Sequence, residues 1–159
     1  MPVFALGISL GIIINAVAKP VMAEPTPEPL NVQDTLSDWN ILQLAIMMKE
    51  SRFNPSAQGK TSDFGIFQIT PIYVAEANRL SNGSYSLEDA LSIQKSLEMF
   101  SIVQTRHNPD CSVERAIYYH NPRASSGYTK AIKNNIVFIQ RYEAARRALI
   151  EYERENKCF

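Results

Sequence analysis

One glutamate stands where a carboxyl could act as a general acid: Glu50 lies at the end of an apolar segment with the residue spacing of a helix. Ser37 is a suitable N-cap, and the pattern predicts a helix from there to about Ser51, with Pro55 preventing its continuation. Apolar side chains surround nearly the whole segment, which is typical of a buried helix. Burial and the helix dipole both disfavour a carboxylate here, so the sequence predicts a raised pKa for Glu50. The alternative is a solvated charge at an ordinary helix end.

Two later segments also combine polar side chains with a glycine or with adjacent tyrosines: "SDFGIFQIT" at 62–70 and "AIYYHNP" at 116–122. Their candidate functional residues are Asp63, Gly65, Gln68, Tyr119, His120 and Asn121. A carboxylate accepts hydrogen bonds, whereas an amide, a phenol and an imidazole can both accept and donate them. Together with "KESRFNPSA" at 49–57, these segments contain the residues that could perform chemistry.

The three segments, in this order, resemble the motifs of lytic transglycosylases of the soluble-lytic-transglycosylase (SLT) type, whose catalytic core is like goose-type lysozyme. The family pattern is Glu-Ser-x-Phe-Asn-Pro-x-Ala, then Gly-Leu-Met/Phe-Gln-Ile, then a tyrosine segment. This chain has "ESRFNPSA", "GIFQI" and "IYYHNP", and the resemblance covers about residues 36–142. It implies a mainly α, lysozyme-like domain with a short irregular β/loop segment around 54–70. It also implies cleavage of the β-1,4 bond between N-acetylmuramic acid and N-acetylglucosamine in peptidoglycan.

The resemblance assigns roles to the candidate residues. Glu50 is the catalytic acid, and Tyr119 is the cleft tyrosine that orients Glu50 or the reacting oxygen. Ser51 contacts the sugar near the acid; its hydroxyl is also suited to bond a free carbonyl at the helix end, and both can be true. Gly65 lets the backbone approach the cleft closely, and Gln68 binds an acetamido group or a sugar hydroxyl.

His120 and Asn121 depart from the more common family segment "YNAG" and are closer to its Tyr-His-Ser-Pro variant. Both are candidate substrate-binding residues. A single histidine beside a loop is, however, more often an ordinary surface or satisfied histidine. Of the adjacent Tyr118 and Tyr119, the sequence predicts that one is a core residue.

The number of carboxylates used in the reaction is open. Family members use one glutamate, which first donates a proton and then takes one from the C6 hydroxyl of the same sugar, giving 1,6-anhydromuramic acid. Lysozyme-type hydrolysis needs two carboxyls. Asp63 occupies the position of the second carboxylate in chicken-type lysozymes, although an aspartate there is also suited to capping a turn. The single-glutamate mechanism is the preferred interpretation.

The remaining helices must position these residues. Pro71 can open a helix that runs to about Leu80. Ser86 and Asp89 resemble a capping pair before a further helix, and Ser112 can cap one that ends near Tyr119. The third and the last predicted helices each carry an apolar stripe. In the third helix the stripe is Ala90, Ile93, Leu97 and Phe100. In the last helix, which begins at about Tyr128, it is Ile132, Ile136, Ile139, Leu149 and Tyr152.

Composition narrows the class of protein. The chain has 159 residues, 45% of them hydrophobic, and a formal net charge of +0. One domain is predicted over 34–159, and no basic patch favours nucleic acid. No CxxC motif or His/Cys cluster predicts a metal site, and no cofactor is expected. Cys111 and Cys158 either form a disulfide that ties the C-terminal tail to the domain or remain two thiols.

The N-terminus resembles a targeting segment. "VFALGISLGIIINAVA" is apolar over 16 residues, short of the roughly 20 that span a bilayer, and "VMA" at 21–23 suits signal-peptide cleavage. No Lys or Arg precedes it, so an uncleaved anchor over 1–23 is the alternative; the proline-rich segment 24–33 is a linker. Both interpretations predict an exported domain in the periplasm or cell envelope.

The expected partner is the peptidoglycan glycan strand. Small family members often serve a secretion, conjugation or phage-entry apparatus, which is a second possible partner, and any membrane contact is expected only through an uncleaved N-terminal segment. A non-catalytic peptidoglycan-binding subunit of such a machine is the alternative from a different functional class.

Overall fold

The computed structural model describes residues 35–156. Within this range the chain is mainly helical and forms no extended strand, as the sequence predicts. The helices are α1 (Asp38–Ser51), α2 (Pro71–Ser81), α3 (Ile93–His107), α4 (Val113–His120) and α5 (Ser126–Asn156), with a short 3-10 helix (Glu88–Leu91) before α3.

The predicted first helix is confirmed, including its cap. The Ser37 hydroxyl accepts a hydrogen bond from the backbone N–H of Asn40. The helix ends at Arg52, whose left-handed backbone conformation (φ 54°) allows its N–H to donate to the Met47 carbonyl. Most of the apolar side chains of α1 are buried, so its last turn is held firmly against the core.

Helices α2 and α4 also begin and end close to the predicted positions. Thr70 caps α2 through the N–H of Tyr73, and Pro71 occupies the first turn, where a missing N–H costs no intrahelical bond. Ser112 caps α4 through the N–H of Arg115. Short-range capping chemistry thus sets both starts.

The region before α3 differs from its prediction. The Asp89 carboxylate accepts from the N–H of Ser86, as expected of a capping pair, but only a 3-10 turn follows. Ser92 is extended and caps a new helix, which changes the helical phase. As a result Phe100 is buried whereas Ile93 is exposed, and the predicted continuous stripe is wrong at Ile93.

Helix α5 starts two residues before the predicted Tyr128, and its first half packs against α1. Ile132 and Ile139 are buried there, and Asn135 donates to the Ala45 carbonyl at 3.0 Å. Farther along the helix, Leu149 and Tyr152 are exposed. The predicted apolar stripe therefore stops contributing to the core after Ile139, the last buried hydrophobic residue of a helix that continues to Asn156.

The segment between α1 and α2 is irregular, as predicted. Its only sheet-like contacts within the described range are two isolated antiparallel bridges, Gln58 with Phe64 and Phe64 with Ile69. Phe67 anchors the segment, because its ring stacks on Phe100 of α3 at 4.7 Å. The segment is thus fixed from below by the core while its polar side chains remain accessible.

The predicted leader (1–23), the linker (24–33) and Cys158 lie outside the described residues. Cys111 is exposed, and its pairing with Cys158 stays a prediction. Across residues 35–156, no helix combines the length and the apolar character that crossing a membrane requires.

Candidate active site

A cleft of about 730 Å³ is lined by the end of α1, the irregular segment, α2, α3 and the end of α4. This volume is in the range of ordinary ligand sites. Of the predicted site residues, those that line the cleft are Glu50, Asp63, Gln68, Tyr119, His120 and Asn121. Ser51 and Gly65 do not line it. The sequence therefore located the cleft but not every residue in it.

Glu50 lies in the last turn of α1 with its side chain only 16% exposed. The hydroxyl of Tyr128, near the start of α5, donates a hydrogen bond to its Oε1 atom. The Nε2 atom of His120, at the end of α4, lies 3.4 Å from the same oxygen. Among the described residues no protein group bonds Oε2, so one carboxyl oxygen is held by the protein and the other remains available in the cleft.

The pKa of Glu50 is lowered, which corrects the sequence prediction of a raised value. Burial of the carboxyl is the largest single influence and does raise the pKa, as predicted. The hydrogen bond and charge of His120, the hydrogen bond of Tyr128 and the charge of Lys49 together outweigh it. All three favour the carboxylate, and two of them come from residues far away in the sequence.

Tyr119 lines the cleft, as predicted, but it is not the tyrosine that contacts Glu50, and its predicted role towards the reacting oxygen stays a prediction. Its ring stacks on His107 of α3, with ring centroids 4.8 Å apart. Successive residues on a helix differ by about 100° in direction, so when His120 faces Glu50, Tyr119 faces elsewhere. Tyr128 contacts the acid instead. Tyr118 is exposed, so neither of the adjacent tyrosines is a core residue.

Tyr128 keeps its proton firmly. Burial first, and then the charge of Glu50, raise its pKa well above the usual tyrosine range. It is therefore a permanent hydrogen-bond donor to the carboxyl and not an acid or base in the physiological pH range.

Asp63 and Gln68 face each other across Gly59 in the irregular segment. A Cβ atom on Gly59 would lie 2.8 Å from both Asp63 Oδ2 and Gln68 Oε1, so a larger residue there would require these two side chains to move. Thr61 donates to Asp63 Oδ2 at 2.8 Å, in agreement with the turn-capping interpretation. The Gln68 amide nitrogen donates to backbone carbonyls of its own segment, which leaves its Oε1 atom as the acceptor for a ligand.

Ser51 and Gly65 have structural contacts beside the cleft, and their predicted contact with substrate stays a prediction. The Ser51 hydroxyl lies 2.9 Å from the Ile66 carbonyl and 3.3 Å from that of Met47, so it joins α1 to the irregular segment. Gly65 is buried with φ 76°, and a Cβ there would lie 1.6 Å from the Ala90 carbonyl oxygen. Both residues fix the backbone beside the cleft.

Asn121 follows α4 and accepts from the N–H of Arg123 at 3.1 Å. It also lies beside the Tyr128 hydroxyl, where a hydrogen bond between the two side chains opposes part of the rise in the tyrosine's pKa. Asn121 thus orders the end of α4 next to the acid, and it remains in the cleft lining.

Several cleft residues were missed by sequence reasoning. The cleft-lining residues outside the motif segments are Thr61, Ile72, Tyr73, Glu76, Val103, His107 and Arg123. Tyr128, also outside them, contacts Glu50. Glu76 and Arg79 have the spacing of a helical ion pair, which is a weak local signal. No local signal marks Tyr128 or His107, because each reaches the site only through helix packing. Among residues 35–156, no cluster of three or more His, Cys, Asp or Glu side chains could hold a metal ion.

The chain matches the sequence model of a family described as the transglycosylase SLT domain, over residues 32–156. Searches of curated proteins and of solved structures gave no significant match. The family match includes the three motif segments and extends beyond the predicted 36–142 at both ends. The helical architecture agrees with the lysozyme-like fold of that family. With a buried carboxyl in a polar cleft on such a fold, the chain belongs to the transglycosylase SLT domain family, whose activity is of the lytic-transglycosylase type on peptidoglycan.

Proposed function

We propose that this protein is a peptidoglycan lytic transglycosylase that cleaves the β-1,4 bond between N-acetylmuramic acid and N-acetylglucosamine, with Glu50 as its single general acid and base. The observation that supports this most is the asymmetry of the Glu50 carboxyl. Tyr128 and His120 hold Oε1, and Oε2 remains available to a ligand in the cleft.

The reaction uses one proton twice. Protonated Glu50 gives its proton to the glycosidic oxygen, the bond from that oxygen to C1 of the muramic acid breaks, and N-acetylglucosamine leaves with a free hydroxyl. Glu50, now a carboxylate, takes the proton from the C6 hydroxyl, whose oxygen attacks C1 and forms the 1,6-anhydro ring. The carboxyl ends the cycle protonated, so no water is consumed.

The lowered pKa of Glu50 in the free protein fits this cycle in two ways. Active sites tighten and lose water on substrate binding, and a glycan in the cleft would strengthen the effect of burial, which raises the pKa. The same partners that lower the pKa stabilise the carboxylate that must persist until the second proton transfer. The carboxylic acid and the carboxylate form of Glu50 can therefore both take part in the proposed cycle.

A second candidate, lysozyme-type hydrolysis, is favoured by one observation: Asp63 lines the same cleft as Glu50. A second carboxylate could activate water or stabilise the cationic sugar. The Asp63 side chain also accepts a hydrogen bond from Thr61 and lies against Gly59. These contacts explain an aspartate at this position without a catalytic role.

Digestion of purified peptidoglycan by the full-length chain, followed by mass spectrometry of the released muropeptides, tests both candidates. Transglycosylation gives anhydro ends, whereas hydrolysis gives reducing ends that are heavier by one water. Binding to cell-wall sacculi with no release, unaltered in a Glu50→Gln variant, would contradict both and favour a non-catalytic peptidoglycan-binding subunit.

We also propose that the protein acts outside the cytoplasm, because its proposed substrate lies there and its first residues resemble a targeting segment. A secretion, conjugation or phage-entry apparatus is the proposed context. Fractionation of cells that express the full chain, with and without residues 1–23, tests the location.

A further inference from the structure

The His120 imidazole occupies a place that a surface histidine would not have. Its side chain is 3% exposed. The ring lies among Phe67, Tyr73 and Phe100, with centroid distances of 6.1, 5.7 and 5.8 Å, and we call these three residues the aromatic box. Only the Nε2 edge of the ring approaches a charged group, the carboxyl of Glu50.

Hydrogen bonding selects one form of this imidazole. The Nδ1 atom is buried and has no partner among the described residues. A proton on Nδ1 would be a buried unpaired donor, which proteins tolerate least, whereas a bare Nδ1 is only an unfilled acceptor. Of the two neutral tautomers, hydrogen bonding therefore favours the one whose Nε2–H is directed at Glu50 Oε1.

We propose, on the basis of the function above, that His120 is the positioning residue of the catalytic carboxyl: its Nε2–H holds Oε1 of Glu50 and stabilises the carboxylate that exists between the two proton transfers. The Nε2–Oε1 distance of 3.4 Å is long for a hydrogen bond. Catalytic hydrogen bonds in free enzymes are often long and tighten when substrate binds or charge develops.

In this role, the aromatic box orients the His120 imidazole. Its three rings fix the plane of the imidazole, so the donor needs no reorganisation when the carboxylate forms. Oε1 then faces His120 and Tyr128 throughout the reaction, and Oε2 alone exchanges protons with the sugar. The inference thus assigns a different task to each oxygen of Glu50.

Other titratable groups lie around the Glu50–His120 pair. They are Lys49 on α1, Asp63 in the irregular segment, Tyr73 and Glu76 on α2, His107 on α3, Tyr119 on α4, Arg123 after α4, and Tyr128 on α5. Of these, only Lys49 and Tyr128 shift the pKa of Glu50, and both lower it, after burial and His120. The effect of His120 must therefore be measured by substitutions at His120 itself.

Two substitutions separate the donor from the ring. His120→Phe keeps a ring for the aromatic box but removes the donor, and His120→Gln restores an N–H at the Nε2 position without an imidazole. Each full-length variant is titrated by carbon-13 NMR of the glutamate carboxyl carbons, with the Glu50 signal assigned from Glu50→Gln. Lytic activity is then measured as a function of pH, and thermal unfolding reports folding.

In His120→Phe, the Glu50 titration moves to higher pH, and the descending limb of kcat/KM moves upward with it, because a donor to the carboxylate is lost. On the acidic plateau, where Glu50 is protonated in every variant, kcat falls by about 10-fold with KM little changed. His120→Gln returns the titration and kcat most of the way to the wild-type values. If the phenylalanine variant does not fold, His120→Leu replaces it.

A Glu50 titration that is the same in wild type, Phe and Gln variants would overturn the inference, as would equal losses of kcat in folded Phe and Gln variants. Both results indicate that His120 only fills space. Failure of the proposed function has a different signature: a wild-type protein that releases no muropeptides. The NMR titration still decides the role of His120 in that case, because it requires no activity.

Discussion

The cleft contains two carboxylate–histidine pairs, and they differ in burial and in the number of cations. In the Glu50 pair (Glu50–His120) the side chains are 16% and 3% exposed, and the closest atoms are 3.4 Å apart. In the Glu76 pair (Glu76–His107) they are 29% and 27% exposed and 2.6 Å apart. Only the Glu76 pair includes an arginine, Arg79, which binds the carboxylate through two hydrogen bonds.

The difference explains why one carboxyl suits catalysis and the other does not. Hydrogen bonds from Arg79, followed by that from His107, lower the pKa of Glu76 to about 2, so it stays ionised at any physiological pH. In the Glu50 pair burial is the largest single influence and opposes the donors, and no arginine holds the carboxyl, although its pKa is still lowered. A general acid needs access to both protonation states, and a carboxylate held by a bidentate arginine lacks it.

The largest expected effect comes from removing each carboxyl in turn. Glu50→Gln should lower lytic activity by roughly 10³-fold or more, because general acid catalysis and the base of the second step are both lost. Glu76→Gln, the matched substitution in the other pair, should change activity by less than about threefold, since its carboxylate never donates a proton. Turbidity of cell-wall suspensions and muropeptide yield measure both.

Equal losses of activity in the two variants, with both proteins folded at the assay temperature, would contradict the comparison. They would place Glu76 in the reaction and make the Glu76 pair a second acid–base centre.

Each pair also has a tyrosine, and this gives the next largest effect. Tyr128→Phe removes the donor to Glu50 Oε1 and should reduce kcat by about 10-fold while raising the pKa of Glu50. Tyr119→Phe keeps the ring stacked on His107 and should alter kcat by less than about twofold. Steady-state kinetics over a range of pH distinguish them.

If Tyr119→Phe is the more damaging of the two, the tyrosine expected from the family motif acts on the substrate directly, and the contact of Tyr128 with the acid is secondary.

The Asp63→Asn substitution distinguishes a mechanism that uses Glu50 alone from one that uses both Glu50 and Asp63. With Glu50 as the single acid and base, the loss should remain within about fivefold and the products should keep their anhydro ends. A loss near that of Glu50→Gln, together with reducing ends in the wild-type products, would assign Asp63 to catalysis. The readout is again the mass of the released muropeptides.

The smallest effect concerns stability and belongs to the Glu76 pair. The pKa of Glu76 is about 2 in the folded protein against 4.5 for an ordinary glutamate, so its pairing stabilises the fold above pH 4.5 and ceases to do so as pH falls towards 2. Because the pair is partly exposed, the contribution should be under about 1 kcal/mol. Thermal unfolding of wild type and Glu76→Gln should differ at pH 6 and converge near pH 2.

The comparison also shows where sequence reasoning succeeds. Glu50 was found because its motif is continuous in sequence and follows an apolar helix. The caps Ser37, Thr70 and Ser112 act on residues within the next turn, so the starts of α1, α2 and α4 could be read locally. Of these caps, the sequence pattern named Ser37 and Ser112, and it located α2 through Pro71 instead.

Sequence reasoning failed where a side chain's direction depends on packing. The choice between Tyr119 and Tyr128 depends on the rotation of α4 and on where α5 passes α1. Likewise, the predicted stripes of α3 and α5 were wrong at Ile93, Leu149 and Tyr152, because Ser92 restarts one helix and the other extends past the core. The period of the apolar residues predicts which face of a helix is buried. It does not predict along how much of its length other helices pack against that face.

By itself, the sequence determined the family and the mainly helical fold, and it indicated the proposed catalytic carboxyl, because each is encoded in short, contiguous patterns. Only the tertiary structure decided the partners of that carboxyl and the direction of its pKa shift. Tyr128 is 78 residues from Glu50 in the chain. Electrostatic interactions depend on distances between atoms in space, and packing of α1, α4 and α5 sets those distances.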